Sequence, residues 1–299
     1  GDGLLRHGAP VDARALEPQG GSGLMLEPHL LAALGGLFVG LPLTVFGGGG
    51  SVLATPWLLY VVGVTNPHIA IGTSAAAVAV NAATGLAVQA RAGRVKWPCA
   101  IVFALAGLAG SLIGAHLGKQ MDGAHLVKWF AVAMIAIAIS MVIPRKSEGD
   151  PSVHLQPAMV LKLAPVGLVA GLAAGFFGIG GGFLIVPGLI LGSGMPMLNA
   201  VGSSLLAVAV FGATTAINYA ISGLVIWPIA GWMLAGGLIG GAIGVWASRK
   251  LAGQRALLQR LFAGFVLVVA VYVGWRAIAP TRRICSSNVA LRKSGVCAA

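Results

Sequence analysis

Phe46-Gly-Gly-Gly-Gly-Ser-Val-Leu-Ala-Thr-Pro56 and Phe177-Gly-Ile-Gly-Gly-Gly-Phe-Leu-Ile-Val-Pro187 align without a gap at an offset of 131 residues. Each is a block of glycines followed shortly by Pro and set inside an apolar stretch. Four glycines together cost a helix roughly 3 to 4 kcal/mol relative to alanine, so the backbone is expected to break at both blocks. No Asp, Glu, Lys or Arg stands between residues 30 and 90, and none, nor any His, between 163 and 248. A membrane span takes about 20 apolar residues, so each charge-free stretch must fold back on itself through uncharged turns.

Composition agrees. Of the 299 residues, 58% are apolar and only 9% charged, with a mean hydropathy of +0.93. Soluble domains carry about 25% charged residues, so a soluble enzyme is excluded, as are a disordered chain and a collagen-like repeat. Backbone polar groups in lipid must be satisfied within the protein, and the apolar runs lack the alternation of barrel strands, so the segments are expected to be helices. The net charge of +12 sits in short clusters between apolar runs: Arg91, Arg94, Lys96; Arg145, Lys146; Arg249, Lys250, Arg255, Arg260; and Arg282, Arg283, Arg292, Lys293. Loops facing an anionic leaflet account for these clusters without nucleic acid as a partner. Cys99, Cys285 and Cys297 match no zinc or haem spacing, and neither metal nor cofactor is expected.

The glycine blocks belong to a longer internal match. Ala70-Ile-Gly-Thr-Ser74 falls on Ala200-Val-Gly-Ser-Ser204 and Gly93-Arg-Val-Lys-Trp-Pro98 on Gly223-Leu-Val-Ile-Trp-Pro228, both at an offset of 130, and Gly107, Gly110 and Gly114 meet Gly237, Gly240 and Gly244. Ordered matches of this kind indicate a tandem duplication. The expected organisation is a disordered leader over 1–28, one membrane repeat over 29–144, a polar linker over 145–162, a second repeat over 163–279 and a basic tail over 280–299. Each repeat reads as five apolar segments: 30–46, 51–63, 69–90, 97–118 and 126–143, then 163–177, 183–191, 199–221, 226–247 and 257–278. The first two of each set are short and flank the glycines, which suits a helix broken in mid-membrane or a re-entrant hairpin. The fold class is therefore an all-α polytopic membrane protein of two tandem-duplicated helical repeats with about eight to ten membrane segments. An odd number of crossings per repeat makes the repeats inverted and an even number parallel. The basic loop 91–96 opposite its uncharged counterpart 223–228 favours inversion, and the basic tail argues against it.

Irregular backbone in a membrane is tolerated where protein or a water-filled cavity covers it. A helix restarting there aims its free N–H groups into that cavity, which suits an anion. The candidate substrate-binding residues are therefore Gly48, Gly49 and Gly50 with Gly180, Gly181 and Gly182, and Gly49 and Gly180 are expected to approach each other near mid-membrane. The adjacent hydroxyls Thr73, Ser74, Ser203 and Ser204 can donate to ligand oxygens without bringing a charge into lipid, and equally can mediate helix contacts. Asn81 and Asn218 lie further along the same helices and could line the route. Glycines at four-residue spacing, Gly110, Gly114, Gly118 and Gly236, Gly240, Gly244, read as packing surfaces. All seven acidic residues, Asp2, Asp12, Glu17, Glu27, Asp122, Glu148 and Asp150, fall outside the expected spans, so the carboxylate relay of a proton-coupled carrier is missing. A hydrolase built from Ser74 and His68 would need a base held beside the serine, and no enzyme is expected.

With these elements in hand, the sequence resembles the TauE/SafE sulfite exporter family, also called the sulfonate uptake permease family. The resemblance covers roughly residues 30 to 275 and is strongest at Gly175-Phe-Phe-Gly-Ile-Gly-Gly-Gly-Phe-Leu-Ile-Val-Pro187. The first copy departs from the pattern at Thr44-Val45-Phe46 and at Ser51. The resemblance implies a multi-pass permease of the cell inner membrane that moves sulfite, sulfonates or other small organic anions, its partners being that anion and the lipid bilayer. The alternatives kept beside it are a structural or assembly membrane protein without transport activity and, well behind, an intramembrane serine hydrolase.

Overall fold

The computed structural model of the chain describes residues 28–47, 49–121, 157–177 and 182–251, and the single residues 129, 264 and 268. Every regular element among them is helical: α1 Pro28–Phe46, α2 Ser51–Trp57 running on into a π-helical turn Leu58–Val62, α3 Pro67–Arg91, α4 Trp97–Gln120, α5 Pro157–Phe177, α6 Gly182–Ser193, α7 Met197–Ile221 and α8 Trp227–Leu251. Six of these, α1, α3, α4, α5, α7 and α8, are long and apolar enough to cross a membrane, while α6 and α2 with its π turn are shorter. The expected segments 126–143 and 257–278, the leader and the basic tail lie outside the described residues. The stretch read as linker is already helical from Pro157.

Local chemistry sets the helix boundaries. Asn66 caps α3, its side-chain oxygen accepting the His68 N–H at 2.9 Å, and Pro67 takes the first helical position, where a missing N–H costs nothing. The five-residue loops that follow α3 and α7 each carry a glycine in the left-handed region, Gly93 at φ 67° and Gly223 at φ 69°. In each case a Trp-Pro pair then opens the next helix, α4 or α8.

Glycine faces set the packing. Gly36 and Gly40 of α1 lie against Met233 and Gly237 of α8, and Gly244 against Leu41, so the contact advances in the same direction along both helices. Gly167, Gly171 and Gly175 of α5 meet Phe103, Gly107 and Ser111 of α4 in the same parallel sense. By contrast α3 and α7 are antiparallel: Gly72 near the start of α3 abuts Leu224 just past α7, and Gly202 near the start of α7 abuts Arg94 just past α3. Lipid supplies no hydrophobic drive between helices, so backbone approach through small residues carries much of the association.

These directions define two ends of the bundle. One gathers the starts of α1, α3 and α8 with the close of α4 and α7, and holds His68 and Lys119; the other gathers the starts of α4, α5 and α7 with the close of α3 and α8, and holds Arg91, Arg94, Lys96, Lys162, Arg249 and Lys250. The chain from α1 into α2 is a hairpin that enters and leaves by the Lys119 end. Trp57 of α2 folds back on α1, its indole N–H donating to Leu31 O at 2.9 Å over Gly35. The turn at Gly47 rests on Val201 and Ser204 of α7, about 10 Å inside the opposite end at 1.5 Å per residue. Helices α5 and α6 form the matching path from the basic end, with Phe176 brought up to Gly118 near the close of α4.

A Cβ on Gly40 or Gly171 would run into the backbone of the facing helix, whereas one on Gly231 meets nothing within 4 Å. Gly40→Leu and Gly171→Leu are each expected to destabilise the purified protein by at least the 1–3 kcal/mol typical of overpacking. Gly231→Ala should melt at or above the parent temperature, and thermal unfolding in detergent checks all three.

Candidate functional site

The first glycine break is a tight turn held from the neighbouring helix. Gly47 adopts φ 64°, and a Cβ there would strike Val201 and Ser204. Its carbonyl accepts the Ser204 hydroxyl at 2.6 Å, a proton that Val201 O shares at 2.8 Å. Just before the turn, the Thr44 hydroxyl lies within hydrogen-bond distance of Gly40 O at 3.1 Å and of Gly241 O of α8 at 3.2 Å. Gly50 precedes α2 and packs on the backbone of Val39 and Leu43, so the two arms of the hairpin touch. Gly49 lies in the turn, and Gly182 is the first residue of α6. Gly48, Gly180 and Gly181 lie outside the described residues, and with them the expected approach of Gly49 to Gly180.

All four candidate hydroxyls are buried, and each has a protein partner. Ser74 donates to Ile71 O at 3.1 Å and shares a 2.9 Å hydrogen bond with Thr55 of α2, which leaves Thr55 as the donor. Thr73 accepts the N–H of Ile226 at 3.0 Å, and Ser203 accepts the N–H of Lys96 at 2.9 Å. Ile226 and Lys96 each stand immediately before a Trp-Pro pair, so a hydroxyl on α3 fixes the entry to α8 and one on α7 fixes the entry to α4. Because α3 and α7 run antiparallel, the Thr73–Ser74 and Ser203–Ser204 pairs sit about 10 Å inside opposite ends of the bundle. The structure does not bring the four together in one cluster.

The asparagines differ. Asn81, 3% exposed at the middle of α3, presses its amide against Gly237 of α8, and both its side-chain oxygen and its nitrogen lack partners. Asn218 lies near the close of α7; its side-chain oxygen is also unpartnered, while its main-chain carbonyl accepts from Lys119 Nζ at 3.3 Å.

Two residues that sequence reasoning passed over stand out. Tyr219 of α7 is fully buried with an unpartnered hydroxyl, and Lys119 of α4 holds its ammonium 5.9 Å from the centre of the Tyr219 ring. A signal was available: at the offset of 130, Tyr219 falls on Gln89, which is also buried. No Asp or Glu occurs among the described residues, and no group of them could hold a metal ion.

This frame of short apolar hairpins and glycine-packed spans can be set beside known proteins. The family model described as Sulfite exporter TauE/SafE matches residues 32–273. The chain belongs to the TauE/SafE sulfite exporter family. That family consists of membrane transporters and not enzymes, and the chain is a multi-pass membrane protein. A probable membrane transporter protein of Xylella fastidiosa (strain Temecula1 / ATCC 700964) is 48% identical over 255 residues, which covers 85% of this chain and 98% of the relative. The probable membrane transporter protein YunE of Bacillus subtilis (strain 168) is 28% identical over 264 residues, covering 81% and 94%. MJ0441 of Methanocaldococcus jannaschii, likewise a probable membrane transporter protein, is 30% identical over 188 residues, covering 60% and 67%. No solved structure gives a significant match to the chain.

In this TauE/SafE chain the crossed bonds at Thr73 and Ser203 satisfy loop N–H groups that would otherwise be left without an acceptor. Thr73→Val and Ser203→Ala are each expected to cost about 1–3 kcal/mol of stability, with Thr73→Ser close to the parent. Unfolding midpoints measured on the same detergent preparation check the series, and an unchanged midpoint for Thr73→Val would remove the bond from the list of stabilising contacts.

Proposed function

We propose that the chain is an inner-membrane permease that carries sulfite, sulfonates or other small organic anions. The observation that carries this reading is the α1–α2 hairpin, which turns inside the membrane at glycines packed on α7, in a protein whose described residues contain no carboxylate. A packing hairpin alone has no need to leave an Asn81 amide unpartnered at mid-span; a passing solute supplies partners for it. The proposed route runs between the two glycine turns, Gly48 to Gly50 and Gly180 to Gly182. Ser204 holds the first turn, Ser74 holds Thr55 of α2, Thr73 and Ser203 hold the loops, and Asn81 and Asn218 offer amides to the solute.

The two halves, 29–144 and 163–279, are proposed as inverted repeats. Support comes from the crossed hydrogen bonds: Thr73 to Ile226 and Ser203 to Lys96 are one contact made twice, with the donor and acceptor halves exchanged and each residue 130 positions from its counterpart. The same exchange relates α1 on α8 to α5 on α4. Basic residues concentrate at one end of the bundle, which favours that end as cytoplasmic and the Lys119 end as the outer one.

Proteoliposomes containing the purified protein are expected to show saturable flux of at least one of sulfite, sulfoacetate, taurine and lactate. Flux at the level of empty vesicles for all four would favour a structural or assembly role instead. Asp122, Glu148 and Asp150 all lie outside the apolar segments, so neutralising them together is expected to leave flux within about twofold of the parent, since carboxylate relays work from within the membrane. Abolished flux in that triple variant would show that a carboxylate is part of the transport step.

A further inference from the structure

Thr215 and Tyr219 stand four residues apart on α7, so their side chains share one face of the helix. Both are completely buried, and neither hydroxyl has a hydrogen-bond partner. The Tyr219 ring is enclosed by Ile71 of α3, Ala115 of α4 and Val225 beyond α7, with Phe176 and Phe177 against this cluster. Phe177 is the last residue of α5, so this face of α7 packs on the close of that helix. Above the ring sits Lys119, whose ammonium also donates to the Ser222 hydroxyl at 3.0 Å and to Asn218 O at 3.3 Å.

Part of this has a purely local reason. A lysine beside the last turns of α4 and α7 answers the carbonyls that helix ends leave free. That accounts for where Lys119 lies, but not for two sealed hydroxyls beneath it. Native proteins rarely bury a hydroxyl with nothing to bond, and in lipid no water reaches it. The basic end offers the contrast. There Gln89, the counterpart of Tyr219, accepts from Arg94 Nη1 at 3.3 Å, and the counterpart of Thr215 is Gly85, which has no side chain to satisfy. The two unpaired hydroxyls thus lie toward the Lys119 end, where among the described residues the Lys119 ammonium donates to neutral oxygens.

We propose that Lys119, Tyr219 and Thr215 form an anion-binding site at the Lys119 end, which takes a small oxyanion beside α7. The ammonium supplies the charge, and the two hydroxyls supply donors one helical turn apart for a sulfonate, sulfite or carboxylate group. This site deepens the reading of the chain as a small-anion permease and rests on it.

The test uses the full chain, purified and also reconstituted in phosphatidylcholine vesicles, so that no anionic headgroup competes for Lys119. Binding and flux of sulfite, sulfoacetate, taurine and lactate are measured for the parent, Tyr219→Phe, Thr215→Val and Lys119→Gln. Tyr219→Phe and Thr215→Val keep shape and remove only an unpaired hydroxyl, so each is expected to melt at or above the parent temperature while binding the carried anion at least fivefold more weakly. Lys119→Gln should weaken binding at least tenfold, and Lys119→Arg should restore most of it. Unchanged affinity in both hydroxyl variants, with parent flux intact, overturns the site and leaves the permease reading standing. Anion binding that is lost in the variants, in a protein that moves none of the four, keeps the site and overturns the permease reading. A parent protein that neither binds nor carries any of them overturns both.

Discussion

A chain turn inside a membrane has to find a protein partner for every carbonyl it exposes, because the lipid offers none. The hydrogen bond from Ser204 to the Gly47 carbonyl is how this protein meets that condition at its first break. Much else follows from it. For the bond to form, Gly47 must lie on the backbone of α7, which requires φ 64° and no side chain. For α1 to deliver the turn to that depth, it must lie flush along α8, and Gly36 and Gly40 supply the clearance. For α7 to present Ser204 there, its own start must be fixed, and the neighbouring Ser203 does this by holding the loop that enters α4.

The same few residue types therefore serve both fold and site, which explains why the sequence revealed some features and concealed others. Charge-free stretches and glycine blocks report the environment and the local backbone, so the helices, the break at Gly47 and the packing faces at Gly110, Gly114 and Gly240 could be read directly from them. The partners of the hydroxyls could not. Thr73 bonds a residue 153 positions away and Ser203 one 107 positions away, and nothing within either helix distinguishes a hydroxyl that accepts from a distant loop from one that faces a solute. Tyr219 was passed over for a related reason: a single Tyr in an apolar helix looks like ordinary core until its hydroxyl is seen to be sealed without a partner.

Electrostatics divides the molecule along its axis. The described residues carry cations at the two ends and no anion anywhere, and the end with six bases faces one with Lys119. A charge buried at mid-span would cost several kcal/mol, so polarity there is left to small neutral groups: the Asn81 amide, the Thr55 and Ser74 pair, and the Thr44 hydroxyl on the carbonyls of α1 and α8.

Stability and transport therefore make opposing demands on the same helices. Where α1 meets α8 and α4 meets α5, backbone lies on backbone with glycine on both sides, and little can move without loss. Helices α3 and α7 are the most buried of the six long helices, and several of their polar atoms are unpaired. The two rigid pairs each join a hairpin of one half to a span of the other, so a shift between the halves must carry a hairpin with it. Because Thr73 to Ile226 lies near one end and Ser203 to Lys96 near the other, each end of the bundle has its own bond between the first half of the chain and the second.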